Sequence, residues 1–501
     1  MKLTFLGHQT WLISYGSTNV IIDPLLLNKF GHSSDINFEI FPSRNIQVDK
    51  MPRVDAIILS HEHLDHFHIP SLNMLPKDAP FYVSKLLPIC VKELIIELGF
   101  QIIEVYPLQN VTIKDLVITF FSSGNRTIFW EQRVIQIYIQ KKDSHDKGIF
   151  IAVDALISED FKEAVDNESI VQPRAVVVSN NSQIVPPGGV GAHTNMLPLE
   201  ERFGNSLQGL TVLHAMLITY FEGLGQDVQE IVICGNGFIA SDGSTASSEL
   251  YGPFLFSDNK KLAAMASELS VGKTILGPYP GEELIFDDED HIKVNQVSWV
   301  QLNKNRIESL LKKQREFLEN PQEIKIRPIR PSFVNNEEAK KALIRVEEEL
   351  CSIAKAIMIS EIGKIAINLR EHLNGSLGCR RILFRFLEEN NETAIQYALD
   401  FSTASFVYDE TTTDQLLETF PFGIEVFLVD FFAIIEGKLQ IWDLAGNAMR
   451  SWYIGDSYTN IISFLYAFYG EQVRPELAKK VYQTVLKNEK AKISSEEIVC
   501  V

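Results

Sequence analysis

The feature that most constrains this chain is a cluster of histidines and acids at the end of an apolar strand. The strand is predicted over residues 54–59, and the sequence His-Glu-His-Leu-Asp-His follows at residues 61–66. Three imidazoles and a carboxylate are costly to bury unless a partner coordinates or neutralises them. Imidazole and carboxylate together suit zinc, iron or manganese. The cluster therefore predicts a metal site with four ligands: His61, His63, Asp65 and His66.

The spacing within this cluster predicts how the ligands divide between two ions. Alternate residues of a turn can point to one side, so His61 and His63 are expected to share an ion. Asp65 and His66 then face a second position, and Asp65 is expected to double as a catalytic proton shuttle. A solvated, histidine-rich loop is the alternative, but four of the eleven histidines lie between residues 61 and 68. We expect His68 to be a bystander.

Length, charge and cysteine usage limit the class of protein. With 501 residues the chain can form two or three cores, since single cores stop growing near ~250–300 residues. The net charge of −19 repels phosphate backbones, which argues against a nucleic-acid partner. The sequence shows no signal-peptide pattern and no apolar run long enough for a bilayer, so no membrane partner is expected. Five scattered cysteines without a Cys-x-x-Cys pair predict reduced thiols and a cytoplasmic location.

The order of apolar segments predicts an α/β fold. Helical patterns occupy residues 69–75, 86–99, 156–166 and 206–224. Such alternation predicts two sheets with helices outside, an αββα sandwich. The strands are predicted at residues 3–5, 11–14, 20–22, 56–60, 81–83, 102–106, 117–121, 134–140, 149–153, 175–178 and 231–234.

The second half of the chain predicts two further units. Prolines near residues 319–333 predict a linker, and a long amphipathic helix is predicted from Asn335 to Gly375, which permits a homodimer. Strands at 382–386, 394–401, 424–432 and 438–443, followed by helix at 459–487, predict a small α+β domain. The predicted domains are residues 1–290, a helical segment at 291–375, and residues 376–501.

The cluster and its surroundings resemble the metallo-β-lactamase superfamily, whose signature is His-x-His-x-Asp-His. Upstream, Phe5-Leu6-Gly7-His8 and Val20-Ile21-Ile22-Asp23-Pro24 resemble the opening strands of that fold, where the Asp-Pro end lies under the metal loop. Downstream, Gly148-Ile149-Phe150-Ile151-Ala152-Val153-Asp154 is similar to the strand that delivers a bridging aspartate. The resemblance implies Asp154 as a fifth ligand; a cap of the following helix is the alternative.

Two positions depart from the pattern of that superfamily. A third histidine usually lies between the signature and the bridging aspartate, and from residue 120 to Asp154 this chain offers His145 alone, in a predicted hairpin. A late strand-end histidine is replaced by Asn236, with His193 of a glycine-rich loop as the other candidate. The resemblance implies one or two divalent ions, with zinc first and iron or manganese as alternatives. Because two histidines of the pattern are missing, a site that holds no metal is a further alternative.

Within the superfamily, residues 54–72, 79–83, 175–180 and 276–282 most resemble cytidine monophosphate-N-acetylneuraminic acid hydroxylase. That family is a monooxygenase fed by a Rieske cluster, which needs two Cys-x-His-type ligand pairs. This sequence holds no such pair, so an oxygenase would need a separate electron-transfer protein. The resemblance also suggests an anionic sugar-nucleotide-like substrate, with Arg126, Arg133 and Arg174 as the basic groups, but we do not extend that substrate here.

Three functions are compatible with these features. The first is hydrolysis of a small-molecule ester, lactone or phosphoester by a metal-bound hydroxide. The second is a non-haem iron oxygenase in which His61, His63 and a carboxylate hold iron. The third is a binding or scaffold protein that retains the fold with little metal. Metal identity and stoichiometry distinguish the three.

Overall fold

The computed structural model describes fifteen stretches of the chain. They are residues 1–31, 38–125, 127, 133–179, 228, 230–235, 238–240, 258–269, 272–287, 292–319, 326–373, 375–388, 394–444, 448–453 and 461–499. The predicted helix at 206–224 lies outside them.

The strands and helices alternate along the chain much as the apolar pattern predicts. The strands are β1 (Lys2–Gly7), β2 (Thr10–Tyr15), β3 (Thr18–Ile22), β4 (Lys29–Phe30), β5 (Phe38–Ile40), β6 (Arg44–Ile46), β7 (Ala56–Leu59), β8 (Phe81–Ser84), β9 (Ile102–Val105), β10 (Asn110–Ile113), β11 (Leu116–Phe121), β12 (Gln136–Lys141), β13 (Ile149–Ile151), β14 (Ala175–Ser179), β15 (Glu230–Cys234), β16 (Phe238–Ala240), β17 (Thr274–Leu276), β18 (Glu282–Ile285), β19 (Lys293–Gln296), β20 (Val300–Leu302), β21 (Glu371–His372), β22 (Gly375–Ser376), β23 (Arg380–Leu387), β24 (Ala394–Asp400), β25 (Ser405–Tyr408), β26 (Phe422–Phe427) and β27 (Met449–Tyr453). The helices are α1 (Ile69–Asn73), α2 (Ile89–Glu97), α3 (Glu159–Asp166), α4 (Asn259–Leu269), α5 (Lys304–Glu319), α6 (Asn336–Met358), α7 (Glu361–Asn368), α8 (Leu416–Thr419), α9 (Leu428–Ile435), α10 (Ile441–Leu444), α11 (Ile461–Phe468) and α12 (Pro475–Val499).

Two large mixed sheets form the N-terminal part. The first has eight strands in the order β19-β18-β1-β2-β3-β7-β8-β9, and the second has seven in the order β10-β11-β12-β13-β14-β15-β17. In the first sheet the strands β3, β7, β8 and β9 run parallel to one another. In the second sheet the strands β13, β14, β15 and β17 do the same. Because parallel strands end at a common edge, the loops after β3, β7 and β13 can meet.

Residues along each strand alternate between two cores. In β3, Val20 and Ile22 face the core between the sheets, while Ile21 faces the outer core. In β13, Ile149 and Ile151 enter the same central core, and Phe150 faces the other side. Since both faces are buried, the last three residues of β3 and all three residues of β13 are apolar, which is why these strands could be predicted.

Helices cover both outer faces, which confirms the αββα sandwich. Helices α3 and α4 pack on the second sheet, and α2 packs on the first. The last helix, α12, packs against α1 and α2 in the same outer core, where the Tyr482 ring lies edge-on to Phe67 at 5.7 Å between centroids. Strands β19 and β20 pair back with β18 and β6, so N-terminal pairing continues beyond residue 290. The domain boundaries at 290 and 375 remain a proposal.

The C-terminal part contains a five-stranded sheet in the order β25-β24-β23-β26-β27, covered by α6 and α9. Two strand predictions were wrong here. The chain predicted as strand 424–432 leaves the sheet after Phe427 and forms α9, and the segment 438–443 gives the short helix α10. Residues 424–432 are apolar apart from Glu425 and Asp430, and in such a run a buried helix and a buried strand look alike.

The helix predicted over residues 335–375 is two helices. It begins as predicted, because the Asn335 side chain accepts the N–H groups of Glu337 and Glu338. It ends at Met358, and Ser360 caps a second helix, α7, by accepting the N–H of Gly363 at 3.3 Å. Within the described ranges, no helix is long and apolar enough to cross a membrane.

Replacing Tyr482 tests whether α12 belongs to the sandwich. Its ring is fully buried and its hydroxyl donates to Glu471 at 2.7 Å. We expect Tyr482→Ala to lower the free energy of unfolding by about 3–5 kcal/mol, and Tyr482→Phe by about 1–2 kcal/mol. Urea unfolding followed by circular dichroism measures both, with the exposed neighbour Gln483→Ala as the control. Equal stability of Tyr482→Ala and Gln483→Ala would contradict this packing.

Candidate metal centre

Polar side chains gather where four strands of the two sheets end. His8 follows β1, Asp23 follows β3, the cluster at residues 60–66 follows β7, and Asp154 lies just beyond β13. His8, Asp23, His61 and His66 are fully buried, and Asp65 and Asp154 are nearly so. Charged and polar groups at this depth require partners.

The backbone turns sharply at three of these strand ends. His8, Asp23 and Val153 have φ angles of 55°, 44° and 55°, in the left-handed region. For a β-branched residue such as Val153 this conformation is rare and costs energy. The three turns place the side chains of His8, Asp23 and Asp154 around the ring of His66.

The metal-loop segment from His63 to Phe67 is a turn. The N–H groups of His66 and Phe67 donate to the His63 carbonyl at 2.9 and 2.7 Å. Within this turn the ligands group differently from the predicted pairing of His61 with His63. Ligand atoms within 4.8 Å of one another form two groups, His61, His66 and Asp154, and His8, Asp65 and His66.

Asp23 anchors this loop from below, as the Asp-Pro resemblance implied. Its Oδ1 accepts the Ser60 N–H at 2.7 Å, and its Oδ2 accepts the Ser60 hydroxyl at 2.6 Å. The same Oδ2 lies 2.8 Å from His66 Nδ1, which donates to it. With Nδ1 protonated, His66 Nε2 faces Asp154 Oδ2 at 3.1 Å and Asp65 Oδ2 at 3.4 Å. A carboxylate behind a ligating histidine is the usual way that proteins orient the ring.

Asp154 is held from its other side. Gln9 Nε2 donates to Asp154 Oδ1 at 2.6 Å, and the Cys234 thiol donates to Gln9 Oε1 at 3.1 Å. Burial, and then the charge of Asp154, raise the pKa of the Cys234 thiol, so it stays neutral. Helix α3 begins after Ser158, so Asp154 does not cap it.

The buried charges of the cluster stabilise one another. Burial alone would lower the pKa of His66, but Asp65, Asp23 and Asp154 hold it well above its usual range. Burial alone would raise the pKa of Asp65, but His66 and His8 hold it well below. Burial and the neighbouring His66 and His63 lower the pKa of His61, which is therefore a neutral imidazole at pH 7.

The donor set fits a small divalent cation. Bonds of about 2.0–2.2 Å at tetrahedral angles place neighbouring ligand atoms roughly 3.4 Å apart. His66 Nε2 lies 3.1 and 3.4 Å from the oxygens of Asp154 and Asp65. The shorter 2.7 Å contact between His8 Nε2 and Asp65 Oδ2 is a hydrogen bond. Imidazole nitrogens and carboxylate oxygens in this arrangement suit zinc, iron or manganese.

Glu62, inside the cluster, contacts Arg133, which donates from Nε to Glu62 Oε1. Burial raises the pKa of Glu62 to about 7; the charge of Arg133 opposes this shift and that of Glu471 adds to it. Arg133 had been considered from the sequence as a substrate contact. In the structure it lines a cleft beside the metal loop together with His63.

The other histidines considered from the sequence lie at different distances from the two ligand groups. The His63 ring lies 4.5 Å from that of His61, outside both tight groups. His68 precedes α1 and its Nδ1 lies 2.7 Å from Ser71 Oγ, as suits a bystander. His145 is exposed on a hairpin. His193 and Asn236 lie outside the described residues. His8 was missed, although a polar residue after a glycine at a strand end was a usable signal.

The strand order, the layers and the loops that carry these side chains define a metallo-β-lactamase fold. Residues 2–142 match the family model described as the β-lactamase superfamily domain, so the chain contains a domain of that superfamily. The matched region includes β1 to β12 and the whole cluster at residues 61–66.

Curated relatives match a short part of the chain. The UPF0173 protein YddR of Bacillus subtilis is 31% identical over 91 residues, which is 17% of this chain and 36% of that protein. An uncharacterised protein of Mycobacterium tuberculosis is 28% identical over 85 residues, covering 17% of this chain and 23% of its own length. The chain thus spans about a third or less of these relatives.

Solved structures that resemble this chain superpose on it with low TM-scores. An isothiocyanate hydrolase from Delia radicum gut bacteria has 20% identity and a TM-score of 0.38, covering 57% of this chain and 99% of its own. CmlA, a diiron β-hydroxylase from Streptomyces venezuelae, has 12% identity and a TM-score of 0.34, with 59% and 54% covered. Because these scores are low, the fold assignment rests on the strand order and the family model.

Removing the Asp23 carboxylate tests whether His66 is oriented for metal. In Asp23→Asn one oxygen acceptor becomes a donor, so the bonds to Ser60 and His66 cannot all persist. We expect zinc affinity to fall by about 10–100-fold, measured by competition with a chromophoric chelator. Asp49→Asn, at an exposed carboxylate, is the matched control. Unchanged affinity in Asp23→Asn would mean that His66 does not ligate.

Proposed function

We propose that this chain is a metal-dependent hydrolase that cleaves a small-molecule ester, lactone or phosphoester. One or two divalent ions, zinc first, would be held between the two sheets. The proposed ligands are His61, His63, Asp65, His66 and Asp154, with His8 beside the second group.

The observation that carries this proposal is the position of His66. Its Nδ1 is fixed by Asp23, and its Nε2 lies 3.1 Å from Asp154 and 3.4 Å from Asp65. An imidazole whose free nitrogen faces two carboxylates needs either a proton or a metal ion there. His61, a neutral imidazole in the same group, favours the ion because it can contribute a lone pair.

The chemistry proposed divides between the ion and the side chains. A divalent ion held there supplies a water of lowered pKa and polarises the bond to be cleaved. The ionised Asp65 carboxylate would take up the proton of the attacking water. His8 donates to Asp65 Oδ2 at 2.7 Å and keeps that carboxylate oriented. Gln9 and Asp23 hold Asp154 and His66 in the same way.

A second function, a non-haem iron oxygenase, is supported by one specific observation. His61, His66 and Asp154 are two histidines and one carboxylate, the ligand types that hold iron in many oxygenases. The resemblance to the sialic acid hydroxylase family points the same way and would require a separate electron-transfer protein. In either case the partner proposed is a small molecule.

Metal content tests the proposal directly. We expect protein purified without chelators to carry about one or two zinc or manganese ions per chain, because the donor set suits them. His61→Ala and Asp65→Ala should lose most of that metal, and His145→Ala, at an exposed histidine, should keep it. Elemental analysis under air and under anaerobic conditions measures all four proteins.

The outcomes separate the three functions. Zinc or manganese, with hydrolysis of an aryl ester, a lactone or a phosphodiester that fails in His61→Ala, would support the hydrolase. Iron with oxygen uptake would replace it with the oxygenase. Preparations without metal, or full metal retention in both His61→Ala and Asp65→Ala, would refute the proposal and leave a binding protein.

Metal binding should also release a proton. The pKa of His66 is held well above its usual value, so at pH 7 its Nε2 carries a proton that an ion must displace. His61 is already neutral and releases none. We expect release of about one proton per ion at that group and tighter binding as pH rises. Calorimetric zinc titration in buffers of different ionisation enthalpy measures the proton; zero release would contradict the assignment of His66.

A further inference from the structure

A cleft of about 420 Å³ lies beside the metal loop, within the size range of small-molecule sites. It reaches the proposed centre through His63, which belongs both to the cleft and to the metal loop. Nothing in the function proposed above says what this cleft holds. Its lining residues are His63, Leu86, Arg133, Trp442, Tyr466, Ala467, Gly470, Glu471, Gln472 and Val473.

The cleft has walls from two distant parts of the chain. One wall comes from the metal loop, the turn after β8 and Arg133. The other comes from α10, α11 and the segment that follows α11. Gln472 Nε2 donates across the seam to the Leu86 carbonyl at 3.0 Å, and Glu471 accepts the Tyr482 hydroxyl at 2.7 Å. The first bond joins the C-terminal wall to the turn after β8, and the second fixes Glu471 to the last helix.

The C-terminal wall is an aromatic surface. The rings of Trp442 and Tyr466 stack at 3.8 Å between centroids with an interplanar angle of 18°. The His63 ring lies 5.0 Å from that of Trp442. Tyr466 is buried and Trp442 is half-buried, so the indole is supported from behind and borders the cleft. A rigid indole gives a flat ligand a large contact at low entropic cost.

The charges of the cleft disfavour a polyanion. Among its described lining residues, Arg133 is the one with a fixed positive charge, and it is paired with Glu62. Glu471 adds an acid, and the whole chain carries a net charge of −19. A nucleotide or sugar phosphate would need more positive charge than this. Most of the remaining lining is apolar.

We propose that this cleft binds the aryl group of an uncharged substrate against Trp442, so that the C-terminal region sets the specificity of the metal centre. The substrate class is then a neutral aryl ester or aryl lactone. This inference rests on the hydrolase proposed above for the chemistry, but the binding step stands on the cleft alone. Trp442 is a binding residue in this scheme and contacts no reacting atom.

A matched pair of uncleaved ligands tests the aryl preference. Acetanilide and N-cyclohexylacetamide have the same acetamide group and differ in a flat against a puckered ring. Dissociation constants for the full-length protein come from saturation-transfer NMR titrations, with adenosine monophosphate as the anionic probe. We expect acetanilide to bind about 3- to 10-fold more tightly than the cyclohexyl compound, and adenosine monophosphate to bind more weakly than both.

Variants at Trp442 separate binding from folding. Trp442→Phe should keep the aryl preference, whereas Trp442→Leu should remove it while cyclohexyl binding persists. Ile359→Ala, at a side chain that is 90% exposed and outside the cleft, should change neither affinity. If Trp442 had only a structural role, replacing it would weaken the binding of both acetamides equally. Because Trp442→Phe and Trp442→Leu both keep an apolar side chain, both are expected to fold.

Four results would overturn the inference. They are equal affinity for the two acetamides, an unchanged aryl preference in Trp442→Leu, tightest binding of adenosine monophosphate, and no binding of acetanilide. The hydrolase proposal fails separately, through metal content and turnover. Acetamide binding in a preparation without metal or turnover would therefore reject the hydrolase and keep the cleft.

Discussion

The Asp23 carboxylate accepts the backbone N–H and the hydroxyl of Ser60 and the Nδ1 proton of His66. These three bonds join the end of β3 to the loop after β7, and they decide which nitrogen of His66 faces the centre. The remaining geometry depends on this choice, because Asp154 and Asp65 both lie at the other nitrogen. Asp23 itself is fully buried and sits in a left-handed conformation, so its place is fixed by the sheet around it. A buried carboxylate with all its partners satisfied is a rigid support for ligands.

The C-terminal region shapes the environment of this centre. Helix α12 packs against α1 and α2 outside the first sheet, and its Tyr482 hydroxyl reaches Glu471 beside the cleft. Trp442, from α10, faces His63 at 5.0 Å. The cleft therefore exists only when the last part of the chain has docked on the first. The loops that carry the proposed metal ligands belong to the sheets, and the wall of the cleft opposite them belongs to the C-terminal region.

Particular residues show how far sequence reasoning reached. The strands β3 and β13 were predictable because they are buried on both faces, and their residues 20–22 and 149–151 are all apolar. Residues 424–435 are apolar apart from Glu425 and Asp430, and this similar run misled, because it is strand up to Phe427 and helix from Leu428. Asn335 was a sound helix start, but the break at Ser360 was hidden inside a continuous helical pattern. The grouping of His61 with His66 was not predictable, because it needs the turn that begins at His63.

The sequence by itself determined the sandwich, the loop that carries the metal-ligand types, and the strand that brings Asp154 to it. The strands and the loop follow from local pattern, which acts over a few residues, and Asp154 follows from the family resemblance of its strand. Only the tertiary structure decided that His8 lies 2.7 Å from Asp65, that Asp23 orients His66, and that Trp442 borders the cleft. Each of these contacts joins residues far apart in the chain. Their proximity depends on the pairing and packing of whole sheets and helices, and no local sequence pattern encodes it.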